Sequence, residues 1–187
     1  MRKRPSASLK RASFYLGLGL CFAVGILLSQ EKLTPSEQLW FEDVSPIITK
    51  TERDVFLKLR TAAERDKFIG FFWRNRDTTP DTPENEFQKD YMARVRFADE
   101  NFGHDSPKRG SQTERGYYYL VLGPPLERRY FTTESAIWPL ELWFYKGAEE
   151  YGLPDYFYLI FYQPGGLGDY RLYYPGVEGP EIGRAHV

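Results

Sequence analysis

Cysteine and histidine are scarce in this chain of 187 residues. Cys21 is the only cysteine, so an intramolecular disulfide and a metal site built from several thiolates are excluded. Of the two histidines, His104 stands in a polar loop without a second ligand nearby, and the acidic residues do not follow the spacing of a calcium-binding loop. We therefore predict neither a metal site nor a cofactor.

The motifs of common enzyme classes are also missing. The sequence contains no G-x-S-x-G elbow, and Cys21 lies in an apolar run where it does not serve as a nucleophile. Paired carboxylates, which glycan-cleaving enzymes use, remain open: Glu141 is one candidate acid, but the sequence identifies no partner for it. No catalytic residue is predicted.

Positive charge is in short supply beyond the N-terminus. Five of the 25 basic residues fall within residues 1–11, so the rest of the chain carries 20 basic against 26 acidic residues. Nucleic-acid binding requires a basic face. Nucleic acid is therefore not an expected partner.

One long segment carries no charge at all: residues 12–30, ASFYLGLGLCFAVGILLSQ. As a helix it would be about 28 Å long, close to the thickness of the hydrocarbon core of a bilayer. Because the basic residues 1–11 precede it and Glu31 follows it, the positive-inside rule places the N-terminus in the cytoplasm and the remainder across the membrane. We predict a single-pass transmembrane anchor.

The uncharged segment could also be a cleaved signal peptide or a lipoprotein signal. A cleaved signal peptide would use the small residues Ala23 and Gly25, but the new N-terminus would then begin with an apolar stretch. A lipoprotein would need a small residue before Cys21, where Leu20 stands. The signal peptide stays open, and with an anchor or a signal peptide the folded part is exported.

Residues 33–103 contain the start signals of four short helices. T-x-x-E capping boxes at Thr34, Thr49 and Thr61 predict helices over 35–44, 50–59 and 62–75. A fourth helix is predicted to open at Thr82 and to end at Gly103 in a left-handed C-cap. Its apolar stripe is Phe87, Tyr91, Val95, Ala98 and Phe102.

The segment WRNRD, residues 73–77, places two arginines beside an aspartate. Arg74 and Arg76 are candidates for an anion or carboxylate clamp. They equally suit the last turn of a helix, where the dipole favours cations. The sequence allows both roles for these arginines.

Residues 110–175 change to a strand pattern. Short aromatic-rich segments separated by Gly/Pro turns predict strands over 116–123, 128–131, 140–146, 155–163 and 170–174. The turns, including PGGLGD over 164–169, are too short for crossover helices, so neighbouring strands are expected to pair antiparallel. The predicted fold class is α+β, with a helical part on one side of an antiparallel meander of four to five strands.

Alternation within these strands predicts a core face and an amphipathic face. Phe157, Leu159 and Phe161 form an apolar row that suits the core. The predicted binding face is Glu141, Trp143, Tyr145, Tyr156, Tyr158 and Tyr162. Tyrosine and tryptophan suit contacts with peptides or sugars, and the alternative is that these side chains pack under the helices.

Several motifs follow one another in a fixed order. The repeated T-x-x-E starts come first, then the run WRNRDTTPDTPENEF and the segment TERGYYYLVLGPP, followed by LELWFYK and GLGDYRLYY. Together they resemble the GWxTD domain of bacterial proteins. The resemblance covers about residues 33–175. The signature itself departs from the family, because Ser111 stands for tryptophan and Glu114 for aspartate. The resemblance implies an exported or membrane-associated domain and no established reaction.

The signature segment, Gly110 to Gly116, is interpreted as structural. Gly110 and Gly116 permit a tight turn, Thr113 or Glu114 accepts loop N–H groups, and Arg115 pairs with a carboxylate. A phosphate-binding loop would precede a helix, whereas this segment is expected to enter a strand.

The sequence thus divides into a basic cytoplasmic terminus (1–11), an anchor or signal (12–30), a GWxTD-like domain (31–180) and a tail (181–187). The tail EIGRAHV resembles the translation of a common sequencing adapter, so we predict that it is not biological and exclude it. The expected role is a non-catalytic protein or glycan interaction module of the bacterial envelope, located on the outer side of the inner membrane. The alternative is a carboxylate-dependent hydrolase of envelope glycans.

Overall fold

A computed structural model describes residues 31–132, 137–147 and 152–175 of the chain. Over these ranges the fold is α+β, as predicted. The helices are α1 (Pro35–Asp43), α2 (Lys50–Phe56), α3 (Ala62–Arg74), α4 (Glu86–Phe102) and α5 (Glu114–Leu122); the strands are β1 (Glu127–Phe131), β2 (Leu140–Lys146), β3 (Tyr156–Tyr162) and β4 (Arg171–Leu172).

The predicted membrane segment, residues 12–30, and the tail, residues 181–187, lie outside the described ranges. Within those ranges, no helix has the length and apolar character needed to cross a bilayer.

The starts of α1, α2 and α3 confirm the three predicted capping boxes. In each one the threonine side chain accepts the backbone N–H of the glutamate three residues later, and the glutamate carboxylate accepts the N–H of the threonine. These bonds satisfy N–H groups that the first turn of a helix leaves without partners. Helix α2 is shorter than predicted and ends at Phe56.

Helix α4 starts later than the sequence suggested. Its N-cap is Asn85, whose side-chain oxygen accepts the N–H of Gln88 at 2.8 Å. The Thr82 hydroxyl instead donates within the preceding loop, to the Glu86 carboxylate among others. Gly103 ends the helix with φ at −91°, so the predicted left-handed C-cap was wrong. The predicted apolar stripe of this helix is buried, apart from the partly buried Phe87.

Helix α5 replaces a predicted strand. Residues 116–123 were expected to be extended, but Glu114–Leu122 is helical, with Thr113 as its N-cap. Tyr119 and Leu120 are buried while Tyr117 and Val121 are exposed, which is the burial of a helix with one side against a core. The helical part therefore continues to residue 122, and the sheet part begins at Glu127 instead of at 110.

The sheet is a four-stranded antiparallel meander in the order β1-β2-β3-β4. Its registers place Trp143 opposite Leu159 and Glu141 opposite Phe161. Strand β4 is shorter than predicted and pairs with β3 over two residues. In the turn that joins β3 to β4, Gly165 and Gly166 have positive φ values, which glycine adopts without strain.

One face of the sheet packs against α4 and α5 and forms the main core. The rings of Phe102 and Trp143 lie 5.5 Å apart, and those of Tyr119 and Trp143 lie 6.0 Å apart. Trp143 and Phe161 are fully buried in this layer. Ring contacts thus join α4 and α5 to one sheet face, while other ring contacts join α1 to α3 and α3 to α4.

Candidate functional site

The signature segment is a 3-10 turn, Gly110–Gln112, followed directly by the start of α5. The Thr113 hydroxyl accepts the N–H of Gly116 at 3.1 Å and donates to the carbonyl of Gly110 at 2.7 Å. The prediction that Thr113 accepts a local N–H is confirmed. The prediction that the segment enters a strand was wrong, because Thr113 caps a helix.

The two signature glycines allow close contact between backbones. A Cβ atom on Gly110 would lie 1.9 Å from the carbonyl oxygen of Ala98, and one on Gly116 would lie 2.1 Å from that of Gly110. Neither glycine has a positive φ. Their function is therefore to let α4, the 3-10 turn and α5 touch without side chains between them.

An arginine and two aspartates fasten this segment to α1 and α4. The Arg109 guanidinium bonds to Asp43 at 2.8 Å and to Asp99, while Asp99 also accepts the N–H of Ser111 at 2.8 Å. Burial raises the pKa of Asp43, against the lowering effect of Arg109. Burial also raises the pKa of Asp99. The hydrogen bonds that Asp99 accepts from Ser111 and Arg109 outweigh this effect, so the pKa of Asp99 is lowered overall. Sequence analysis did not identify this triad, because its members are far apart in the chain.

Behind the signature segment lies a buried ionic cluster. Arg115 contacts Glu141 at 3.0 Å, which confirms the predicted pairing of Arg115 with a carboxylate. Glu141 also accepts bonds from Arg128 at 2.5 Å and from the Trp143 indole at 2.7 Å. The Arg115 guanidinium stacks 4.0 Å above the ring of Tyr170.

This environment assigns Glu141 a structural role. Its side chain is completely buried, and both carboxylate oxygens accept hydrogen bonds from protein groups. A catalytic acid must instead reach its substrate. Glu141 therefore gives no support to a hydrolase.

A polar groove runs in front of the start of α5. It has a volume of about 510 Å³. Glu114 lines it and accepts the N–H of Leu172 at 2.6 Å, so that the acid of the signature is bonded to β4. Tyr117, Asp169 and Tyr174 also line this groove.

The arginines of WRNRD do not converge on an external site. Arg76 donates two bonds to Glu52, at 2.9 and 2.8 Å, and a third to the Ile47 carbonyl at 3.0 Å. Its guanidinium also stacks 3.6 Å above Phe72. The hydrogen bonds from Arg76 to the Glu52 carboxylate lower the pKa of Glu52 to about 2. Arg74 is exposed at the end of α3. Arg76 is thus a carboxylate clamp for a group of its own chain.

The residues of the predicted binding face divide between the two faces of the sheet. Glu141, Trp143 and Tyr145 share the core face with Phe157, Leu159 and Phe161, because the register pairs them directly. All three are buried. Tyr156, Tyr158 and Tyr162 lie on the opposite face. The prediction of a single face that joins all six residues was therefore wrong.

The opposite face, here called the outer face, points away from the helices. Its residues on the two central strands are Leu140, Leu142, Phe144, Lys146, Tyr156, Tyr158, Ile160 and Tyr162. None of them belongs to the hydrophobic core of the described residues. Tyr156 and Tyr158 are more than half exposed, and the rings of Phe144 and Tyr158 lie 5.0 Å apart.

No group of three or more histidine, cysteine, aspartate or glutamate side chains in the described part of the chain is arranged to hold a metal ion. His104 lies beside Asp99 and Arg109 at a shallow surface depression.

Comparison with known proteins gives one match. The GWxTD domain family matches residues 25–163, a range that contains all five described helices, the signature segment and β1 to β3. Neither a curated protein nor a solved structure matches the chain. Because the family match extends over well more than half of the sequence, the chain belongs to the GWxTD domain family.

Proposed function

We propose that this chain is a membrane-anchored, exported domain of the bacterial envelope that binds a protein partner on the outer face of its sheet and performs no chemistry of its own. One observation carries the proposal. Of the eight outer positions on β2 and β3, only Lys146 is charged, and no described helix covers them.

An apolar outer face is unusual for an antiparallel sheet with helices on one side. Such sheets normally present polar side chains on the face that meets water. Here the cross-strand pairs are Leu142 with Ile160 and Phe144 with Tyr158. Tyr156 and Tyr158 are exposed, and the other apolar residues of this face are partly exposed. A contiguous apolar patch that solvent reaches marks an interaction surface in soluble domains.

The composition of the face favours a protein over a glycan. Its centre is the aliphatic pair Leu142 and Ile160, which offers no hydrogen bonds to sugar hydroxyls. The tyrosines of β3 border this centre and present apolar rings with polar edges, and on β1 the ion pair of Arg129 with Glu127 borders it. A protein surface with its own apolar core and polar rim complements this arrangement.

The anchor rests on the uncharged segment 12–30 and on the basic residues that precede it. Their order supports an N-terminus in the cytoplasm and a domain on the outer side. Proteolysis of spheroplasts tests this orientation: the domain should be degraded while the inner membrane is intact. Protection until the membrane is lysed would refute the proposed location.

Site-specific photo-crosslinking in cells tests the binding face. A photo-reactive residue at position 158 should yield a defined protein adduct. The matched control is position 117, which is about equally exposed but lies on α5, in the layer on the other side of the sheet. The change Leu142→Glu should abolish the adduct from position 158, because it places a charge at the apolar centre.

Three outcomes would overturn the binding proposal. They are equal protein adducts from both positions, no protein adduct from position 158, or an adduct that persists in the Leu142→Glu variant. An adduct to polysaccharide at position 158 would show that the outer face binds a glycan instead of a protein.

A further inference from the structure

The point where the chain enters the folded domain is held by four bonds. The Glu31 N–H donates to the Arg60 carbonyl at 2.9 Å, and the Glu31 carboxylate accepts the N–H of Ala62 at 2.9 Å. The guanidinium of Arg65 donates to the carbonyls of Glu31 at 3.3 Å and Lys32 at 3.5 Å. Residue 31 is therefore fastened to the connection between α2 and α3.

Arg65 makes this attachment part of the domain interior. Its side chain is fully buried and pairs with the capping carboxylate of Glu37 at 2.7 Å. It also donates to the Leu59 carbonyl at 3.4 Å, in the same connection. One arginine thus joins the entering chain, the start of α1 and the α2–α3 connection.

The attachment leaves no linker after the uncharged segment. Gln30 ends that segment and is bonded directly to Glu31, and consecutive Cα atoms lie about 3.8 Å apart. If residues 12–30 span the membrane, as the proposed function requires, the α2–α3 connection must lie at the membrane surface.

The side chains of this region suit a lipid interface. Val55 and Leu57 are each more than two-fifths exposed, and Lys58 and Arg60 are exposed beside them. Long basic side chains keep their charge at the headgroups while their stems cover apolar surface. Within the described part of the chain, neither Lys58 nor Arg60 forms a salt bridge.

Acidic side chains also lie near the connection between α2 and α3. The carboxylate of Glu64 accepts the N–H groups of Arg60 and Thr61, and that of Glu31 accepts the N–H of Ala62. These bonds direct the two carboxylates toward the protein backbone. Asp54 on α2 and Asp66 on α3 are also exposed, and neither has such a bond among the described residues.

We infer that Val55, Leu57, Lys58 and Arg60 form a membrane-contact surface that rests on phospholipid headgroups. The two basic groups pair with lipid phosphates, and Val55 and Leu57, which lie on the two flanks of the buried Phe56, border the headgroup layer. The domain is then held in one orientation against the bilayer instead of swinging on a tether.

Fluorescence quenching by lipids with nitroxide-labelled headgroups tests this surface in the full chain, reconstituted into phospholipid nanodiscs. A fluorophore on the native Cys21, at the middle of residues 12–30, reports the anchor through quenching by lipids that carry the nitroxide deep in the acyl chain. In a Cys21→Ser background, a fluorophore at Lys58→Cys reports the proposed surface and one at Lys89→Cys serves as the control. Lys89 lies one turn of α4 beyond Asn85. Asn85 bonds to the carbonyl of Trp73 at the end of α3, about 17 Å of helix from Ala62.

We expect several-fold stronger quenching at position 58 than at position 89. Adding Val55→Asp and Leu57→Asp should reduce the quenching at position 58 toward that at 89, because both changes oppose contact with the headgroup layer. Quenching at position 58 that equals the control, or that survives these two changes, would overturn the inference even though the anchor label is quenched. A label on Cys21 that acyl-chain nitroxides do not quench would refute the anchor, and the inference with it.

Discussion

Glu141 and Arg115 lie 26 residues apart in the chain, and their side chains meet at 3.0 Å where solvent does not reach. This contact ties β2 to the first turn of α5. Arg128 and Trp143 bond to the same carboxylate, so a single acid joins two strands and a helix.

Replacing Glu141 should strongly destabilise the domain. The change Glu141→Gln leaves Arg115 and Arg128 without their counter-charge, and breaking a buried ion pair from one side lowers the free energy of unfolding by about 3–5 kcal/mol. Urea denaturation followed by tryptophan fluorescence measures this loss. The control Glu127→Gln removes an exposed partner of Arg129 and should change stability little. Similar losses in both variants would contradict the role assigned to Glu141.

Replacing glycine by alanine should change the free energy of unfolding in opposite directions at two helical positions. Gly116→Ala puts a methyl group 2.1 Å from a carbonyl oxygen, which only a backbone shift relieves, and should lower the free energy of unfolding by at least about 3 kcal/mol. At Gly70 the nearest atom is 3.3 Å away on the flexible Arg74 side chain, so Gly70→Ala should stabilise α3 by about 0.5–1 kcal/mol. Thermal unfolding of the two variants should show shifts of opposite sign. A tolerated Gly116→Ala would refute the close-contact account.

The hydroxyl of Thr113 should account for most of its contribution to α5. Thr113→Ala removes both its bond to the Gly116 N–H and its bond to the Gly110 carbonyl, and should lower the free energy of unfolding by about 1–2 kcal/mol. Thr113→Ser keeps the hydroxyl and should retain most of the stability. Equal losses for alanine and serine would show that the methyl group, not the cap, is what matters.

The pair of Arg76 and Glu52 should make the domain sensitive to acid. The Arg76 bonds lower the pKa of Glu52 from its ordinary 4.5 to about 2. A lowered folded-state pKa contributes stability that is fully present above pH 4.5 and is lost as the pH falls toward 2. In Arg76→Gln, unfolding free energies measured between pH 5 and 2 should start lower and fall less steeply over that window. A slope identical to that of the unaltered chain would show that other carboxylates dominate the response.

Local sequence patterns predicted the starts of the first three helices correctly because the capping chemistry is local. In each capping box the two bonds join residues three positions apart, as between Thr49 and Glu52. No tertiary contact is needed to form them. The start of α4 was misplaced because Thr82 and Asn85 both suit an N-cap, and the bond from Asn85 to the Trp73 carbonyl depends on the packing of α3.

Helix α5 shows where local preference fails. The run YYYLVL favours strands by residue type. Its neighbours decide otherwise, because Tyr119 stacks on Phe97 at 4.7 Å and packs against Trp143. Thr113 is a residue type that commonly caps helices, so the sequence did indicate a possible helix start here. The aromatic composition outweighed that signal in the prediction.

The division of the predicted binding face has a similar cause. Alternation separates the residues of one strand into two rows, one on each face of the sheet. It does not determine which row of the neighbouring strand lies on the same face as a given row. That choice depends on register, and a shift of one residue exchanges the faces. The structure pairs Trp143 with Leu159, so the tyrosines of β3 lie on the face opposite to Trp143 and Tyr145.

The bond between Glu114 and the Leu172 N–H also limits what can pair with the sheet. Strand β4 is an edge strand, and this N–H points away from β3, toward the position where a fifth strand would bond. A carboxylate occupies that donor, and β4 is only two residues long. Self-assembly by edge-to-edge strand pairing is thus discouraged on this side. Among the described strands, β1 is the other edge and keeps five residues, so any strand contributed by another molecule would have to pair there, beside the charged residues Glu127, Arg128 and Arg129.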